Sequence, residues 1–346
     1  MKSITVRDIA KHCGASPTTV SRVLSGSEYP VRASVREEVL RAAKELGYSS
    51  AKRTAQSQEI AILVPTTANP FYTSVIDGVE RTVTKEGIST LICNMATGVP
   101  RGKMKRQLQG LLKRDFCGVV VAASNNKPLL DEGMLEMIQR GVRVVLVDTP
   151  HPDSRYNCVS FDYRKGADIG TEYLIRYGHR NIVYAGLRLE RESRFLRVDG
   201  FRNAMSRHGL EADEASLLLP GGDEFDEASQ IEAGEALSQR VLNLSPIPTA
   251  VMAVNDMVAY GLLRGFSRLG LRVPEDISIM GFDDSIFSEM SSPSLTTVRV
   301  QAEQMGRMAA MLLLEDIRNE GKAAPVNLFL DPVVVERGTV ATCMAQ

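Results

Sequence analysis

Residues 5–26 read "TVRDIAKHCGASPTTVSRVLSG", and their spacing sets the character of the N-terminal head. Thr5 followed by Asp8 has the spacing of a capping box, in which each side chain satisfies an orphan backbone amide. Val6, Ile9, Ala10 and Cys13 then recur at helical intervals. Gly14 ends this helix, because the turn there needs left-handed geometry. Ser16 suits an N-cap, and Pro17 suits the first helical position, where a missing N–H costs nothing. The second helix, Pro17 to Leu24, buries Val20, Val23 and Leu24 and leaves Thr18, Thr19, Ser21 and Arg22 facing out. A third helix is expected from Ser34, with Glu37 completing another capping box. Val35, Val39, Leu40, Ala43 and Leu46 form its buried stripe and Gly47 stops it. Two short helices joined at Gly14-Ala15-Ser16, the second carrying small polar groups and an arginine, are what major-groove docking requires. Periodicity alone leaves a plain helical bundle equally open.

The charge distribution favours the DNA reading. The 346-residue chain has a formal net charge of −1. Residues 1–53 nevertheless hold ten Lys/Arg against five acids, an excess of five, which leaves about −6 on the rest. A small basic module on a mildly acidic body points to a polyanion partner for the head. The length implies two or three domains, and 44% apolar with 24% charged residues fits a soluble globular protein. Apolar runs such as Val119–Ala123 are far short of a membrane span. "MKSITVRDIA" has no apolar core for export, so a cytoplasmic location is expected. The five cysteines are scattered without CxxC spacing, which favours reduced thiols over disulfides or zinc. No cofactor or metal is expected.

The head resembles that of the lactose/galactose repressor family. "TVRDIAKHCGASPTTVSRVLSG" carries the resemblance, together with "VRASVREEVLRAAKELGY" for the third helix. The resemblance implies that Pro17, Thr18 and Arg22 face bases while Ser16, Thr19 and Ser21 grip phosphates. Arg22 is the strongest candidate for direct readout, since a guanidinium pairs with both major-groove acceptors of guanine. Thr5, and Lys52 and Arg53 beyond the third helix, complete the candidate DNA-binding set.

From Ile60 the pattern alternates between apolar strands ("IAILVP", "STLICN", "GVVVAA", "VRVVLVD", "NIVYAG", "TAVMAV", "ISIMGF") and amphipathic helices. The helical stretches include Thr73–Glu86, Lys103–Lys113, Leu135–Arg140, Gly166–Tyr177, Asp256–Leu269 and Glu303–Arg318. Such alternation argues for doubly wound parallel sheets, too many strands for one sheet, and hence two lobes. Ligands of these folds sit beyond the carboxyl ends of strands. There the chain places Phe71, Tyr72, Asp148, Asp162, Arg191, Ser193, Arg197, Phe225, Asn255, Asp256, Asp283 and Asp284. Carboxylates and amides take paired hydroxyls while rings cover an apolar C–H face, which is the chemistry of a polyol site. Helix capping alone accounts equally well for Asp256 and Asp284.

The body also resembles the family's effector domain, itself similar to periplasmic sugar-binding proteins. "NPFY", "VLVD", "RYGHRNIVYAG", "RVDGF", "AVNDMVAYGLLRGFSRLGLRVPEDISIMGFDD" and "SPSLTTVR" are the landmarks. By position, Phe71, Tyr72, Asp148, Arg191, Ser193, Arg197, Phe225, Asn255 and Asp283 correspond to effector-contacting places. Val300 stands where the family often has a polar residue. Arg188, Arg191, Arg194 and Arg197 recur every third residue, which is unusually basic for a neutral sugar and suggests a sugar acid or sugar phosphate. The expected organisation is a helix-turn-helix head (1–47), a short linker (48–59) and a two-lobed α/β periplasmic-binding-protein-like effector domain (60–346). The first lobe spans about 60–161 and 292–325, the second about 162–291 and 326–346. Three crossings are expected, near Asp162, Ser291 and Pro325. The helix around Thr73–Glu86 would serve a homodimer that suits a palindromic operator.

In the linker, "YSSAKRTAQSQEIAIL" (48–63), relatives carry Pro-Asn after the tyrosine and a leucine that wedges into the minor groove. This chain has Ser50-Ala51 and no leucine before the strand, so a short connector with Lys52 and Arg53 on phosphate is expected. A ligand-responsive repressor is the reading carried forward. A regulator set by a partner protein is one alternative. A carbohydrate-acting enzyme is another, against which stand the missing P-loop, GxGxxG, GxSxG and HExxH patterns. An exported sugar-binding protein lacks support, given the DNA-type head and no signal peptide.

Overall fold

The computed structural model describes residues 5–24, 31–46, 59–95, 101–122, 127–148, 155–189, 191–219 and 229–343. The head comprises α1 (Val6–Cys13), α2 (Pro17–Leu24) and α3 (Ala33–Glu45). Thr5 and Asp8 form the capping box, with the Thr5 amide donating to the Asp8 carboxylate at 2.7 Å. Gly14 takes the left-handed conformation (φ 64°) that turns the chain toward α2. Ile9, Ala10, Val20, Val23, Val39, Ala42 and Ala43 make the head's core. Two expectations change here. The third helix begins at Ala33, so Ser34 lies inside its first turn. Leu40 is 49% exposed, because it sits one position, or about 100°, from Val39, and Ala42 fills the stripe instead.

The body has two six-stranded sheets. The first contains β1 (Glu59–Val64), β2 (Ser89–Asn94), β3 (Gly118–Ala122), β4 (Arg143–Asp148), β5 (Asn157–Phe161) and β11 (Asn327–Leu330). Its order is β11-β5-β4-β3-β1-β2, all parallel. The second contains β6 (Ile182–Ala185), β7 (Leu217–Leu218), β8 (Ala250–Ala253), β9 (Ser278–Asp283), β10 (Thr297–Arg299) and β12 (Val333–Val335). Its order is β12-β10-β9-β8-β6-β7, parallel except for the β10–β12 pair. Central strands such as β3 and β9 are buried along their whole length, as sheets covered on both faces must be.

Helices α4 (Pro70–Val83), α5 (Arg101–Leu112), α6 (Lys127–Gln139) and α12 (Ala302–Arg318) belong with the first sheet. Helices α7 (Tyr163–Arg176), α8 (Glu192–Arg207), α9 (Gln230–Leu242), α10 (Asp256–Arg268) and the short α11 (Phe287–Met290) belong with the second. The sixth helix starts at Lys127 rather than Leu135, and α8 and α9 add to the helices read from the sequence. Helices α4 and α12 cross with their backbones in contact. A Cβ on Gly78 would stand 2.1 Å from the Glu303 carbonyl oxygen, and one on Gly306 2.1 Å from that of Val75.

The chain crosses between lobes three times. The first crossing falls at Asp162, where expected, but the other two are displaced. Val298 pairs with Phe282, so β10 completes the second sheet before the chain leaves near residue 300 instead of Ser291. Leu328 pairs with Val159, so β11 completes the first sheet and the last crossing falls near 331 instead of Pro325. In both places the apolar run beyond the turn finishes the sheet it is already next to.

Candidate functional site

The carboxyl ends of both sheets face one cleft. It is lined by Phe71, Tyr72, Asp148, Arg191, Ser193, Arg197, Asn255 and Asp283, eight of the nine residues read from the sequence. Phe225 lies outside the described residues. Arg194, read from the sequence only as part of the run of arginines, lines it as well; Asn69, Tyr163, Gln230 and Val254 also do and were not foreseen. Asp162, Asp256 and Asp284 do not line it.

Local structure places each side chain. Asn69 caps α4, accepting from the Phe71 amide at 2.9 Å, which turns Phe71 and Tyr72 into the cleft as an edge-to-face pair. Asn255 caps α10 through the Val258 amide (3.0 Å), and Val258, Ala259, Leu262 and Phe266 anchor that helix. The remaining Asn255 group, its amide nitrogen, donates to the Gln230 oxygen at 2.6 Å. Asp148 and Asp283 end β4 and β9 with φ of 88° and 120°, a region costly for a residue with a Cβ. Both strained carboxylates are in the cleft.

Arg197 is the best-held cation. It is 8% exposed, donates to Asp283 at 3.2 Å, and lies 4.5 Å and 4.3 Å from the ring centres of Tyr163 and Phe282. Burial works against its charge, and Asp283 with the neighbouring acidic groups outweighs that, so its pKa stays above the usual arginine value. Its Nε is buried with no hydrogen-bond partner among the described residues. Burial, helped by Asp148, pushes the Tyr163 hydroxyl well above its ordinary value, so it remains the donor to Asp148. That bond joins the lobes, as does the one from Arg191 to the Tyr72 hydroxyl. Arg194 donates to the Arg188 carbonyl at 2.8 Å. Among the described residues, three arginines and two carboxylates thus share the cleft.

The other polar strand ends are structural. Asp256 is fully buried and accepts from Thr297 (2.6 Å), Ser288 (2.7 Å) and the Ser285 amide (2.7 Å). Asp284 pairs with Arg299 (2.6 Å) and Arg337 (2.8 Å), so it points away from neighbouring Asp283. His179 is 3% exposed between Thr249 and the Ala341 carbonyl, and burial lowers its pKa, keeping it neutral.

On the head, Pro17, Thr18 and Ser21 are exposed, and Thr19 and Arg22 are half-buried. The Ser16 oxygen accepts the Thr19 amide at 3.1 Å and meets the Thr19 hydroxyl at 2.8 Å, so both cap α2 as well as facing out. Thr5 is likewise committed to its capping box. Lys52 and Arg53, with the rest of the linker before Glu59, lie outside the described residues.

Comparison with known proteins agrees with this division. Residues 5–50 match the model for bacterial regulatory proteins of the lacI family, and residues 171–340 match a periplasmic binding protein-like domain. The HTH-type transcriptional repressor PurR of Vibrio atlanticus is 31% identical over 345 residues, covering 98% of this chain and 99% of its own. The chain belongs to the LacI family. Two solved LacI-type structures superpose along nearly the whole molecule. A complex of the transcriptional regulator CelR with cellobiose has a TM-score of 0.71 at 29% identity, covering 97% of this chain and 99% of that one. The lac repressor dimer bound to operator and the anti-inducer ONPF has a TM-score of 0.69 at 25% identity, covering 98% and 100%. Among the described residues, no helix is long and apolar enough to cross a membrane.

Proposed function

We propose that this LacI-family protein is a transcriptional repressor that binds a palindromic operator as a homodimer. Its effector is a small polyhydroxylated molecule carrying negative charge, such as a sugar acid or sugar phosphate. The observation that carries the effector class is the cleft's inventory. Asp148, Asp283, Asn255 and Gln230 offer paired acceptors and donors for hydroxyls, and the Phe71–Tyr72 pair offers apolar cover. Among the described residues that line the cleft, Arg191, Arg194 and Arg197 outnumber Asp148 and Asp283 by one. Guanidinium groups suit bidentate pairing with a carboxylate or phosphate, which favours an anionic effector. PurR, CelR and the lac repressor, by their descriptions, are a repressor, a cellobiose-bound regulator and an operator-bound dimer, which fits a carbohydrate-responsive repressor acting as a dimer; the anionic part of the reading rests on the arginines alone.

On the head, Arg22, Thr18 and Pro17 face bases, and Ser16, Thr19 and Ser21 lie against phosphates, with Lys52 and Arg53 adding charge from the linker. Operator affinity should therefore fall steeply with salt. The test is a thermal-shift screen of neutral sugars, sugar acids and sugar phosphates on the full chain. A hit is then titrated against operator binding with purified protein alone. Stabilisation by an anionic compound, lost in Arg197→Ala and Asp283→Ala, supports the reading. Equal stabilisation by neutral sugars and their acids removes the anionic part. An operator response that needs an added protein removes the small-molecule part.

A further inference from the structure

Residues 101–114, "RGKMKRQLQGLLKR", hold six Lys or Arg and no acid in a chain whose net charge is −1. Helix α5 buries Leu108 and Leu111 and turns Lys105 and Arg106 to solvent, with Lys113 exposed just beyond its end. Among the described residues Lys105, Arg106 and Lys113 make no ion pair. Arg106 and Lys113 are seven residues apart, nearly two turns, so they lie on one side of the rod about 10 Å apart.

The topology gives this face its place. All strands of the first sheet are parallel and start at one edge, where the chain arrives from the head at Glu59. Helix α5 follows β2 and precedes β3, so it runs back from the cleft edge and ends at that same starting edge. Arg114 Nη2 to Glu59 Oε2, 3.2 Å, fastens its end to the point of arrival. Among the described residues, the acids nearby are Glu59, Asp115 and, on the neighbouring α6, Glu132 and Glu136. Glu136 is bonded at 2.5 Å to Arg140, itself a further cation. Cations at a helix C-terminus complement the backbone dipole, which accounts for Lys113 and Arg114. It gives no reason for Lys105 and Arg106 in mid-helix, and an ordinary solvated face mixes signs.

We propose that the outer face of α5 binds the phosphate backbone of duplex DNA flanking the site held by the head. The contact is sequence-independent and lengthens the footprint. This rests on the DNA-binding reading above. The test uses the full chain and a duplex recovered by binding-site selection from a randomised pool, in two lengths. One length is the protected site alone, and the other adds ten base pairs on each side. Anisotropy titrations over a range of salt compare the wild type with the triple variant Lys105→Glu, Arg106→Glu and Lys113→Glu. On the long duplex the variant should bind at least about tenfold more weakly, with a log–log salt slope shallower by about five, since each of two protomers loses three cations. On the short duplex the two should agree. The triple Gln variant, gentler on folding, should show a smaller change in the same direction. Unchanged binding to the long duplex overturns the proposal, as does an equal loss on both lengths. Failure of the wild type to select any duplex would instead count against the DNA-binding reading itself.

Discussion

At the cleft the first lobe presents Asn69, Phe71, Tyr72 and Asp148, while the second presents Tyr163, Arg191, Ser193, Arg194, Arg197, Gln230, Asn255 and Asp283. The sheets behind them have the same number of strands and nearly the same plan. The first lobe supplies a wall of two rings and one carboxylate. Among the described residues the second supplies every cation in the cleft and most of the directional groups, and its Tyr163 and Arg191 donate bonds that cross to the first lobe. Recognition thus resides mainly in the second lobe, with the first acting as a cover that the second pulls toward itself. Each crossing bond contributes about 1 kcal/mol net, comparable with the few kcal/mol that separate alternative lobe arrangements. A ligand therefore needs only modest preference for one arrangement to move the protein.

Substitutions can break or sharpen that contrast. The largest effect is expected from Arg197→Met, which leaves Asp283 buried without its cation. Urea denaturation should show a loss of about 3–5 kcal/mol, and calorimetry should show no effector binding. Asp148→Asn, on the first lobe, should cost far less stability, since the bond it accepts from Tyr163 comes from a neutral hydroxyl. Equal losses would contradict the asymmetry.

A pH series probes the second lobe beneath the cleft. Burial raises Asp256 to about 6, against the pull of Thr297, Ser288 and the Ser285 amide. Its folded value lies above its unfolded one, so the folded state holds the extra proton. That stability is present at about pH 4 and is lost as the pH rises through 6. At two units, the difference in stability between wild type and Asp256→Asn should shrink by about 3 kcal/mol from pH 4 to pH 7. A difference that stays constant with pH would show that Asp256 is ionised throughout. Tyr72→Phe removes the hydroxyl that accepts from Arg191. It should alter stability by about 1 kcal/mol and change effector affinity several-fold, read by thermal shift and calorimetry. The smallest effect is expected at the hinge. Lys165 and Asp331 pair at 2.6 Å across the last crossing, but both are exposed, so Lys165→Ala should leave the melting curve unchanged.

Much of this arrangement was legible in the sequence because strands end where polar residues begin. Asp148, Asn255 and Asp283 follow unbroken apolar runs, and a parallel sheet leaves such ends nowhere to point but the cleft. The head was legible because Thr5, Gly14 and Ser16-Pro17 mark helix ends by local chemistry. Gln230 was not, since it opens a helix whose amphipathic pattern is weak and its role comes from meeting Asn255, 25 residues away. Tyr163 looked like a core aromatic, which it also is; nothing local announces that its hydroxyl reaches Asp148 in the other lobe. Asn69 stood in plain view within "NPFY", but its cap obscured its place in the cleft wall. The displaced crossings share one cause. Strand pairing, of Val298 with Phe282 and of Leu328 with the distant Val159, outweighs the Ser and Pro punctuation that local reading follows.

Asp148 and Asp283 hold backbone conformations in which glycine would rest more comfortably. At Asp283 glycine would relieve about 1–3 kcal/mol of that strain but strip the buried Arg197 of a carboxylate at a cost of about 3–5 kcal/mol. The strained backbone is thus held in place by the charge beside it. Selection of this protein for heat resistance alone should leave Asp283 untouched, so going deaf to its signal is no route to a sturdier regulator.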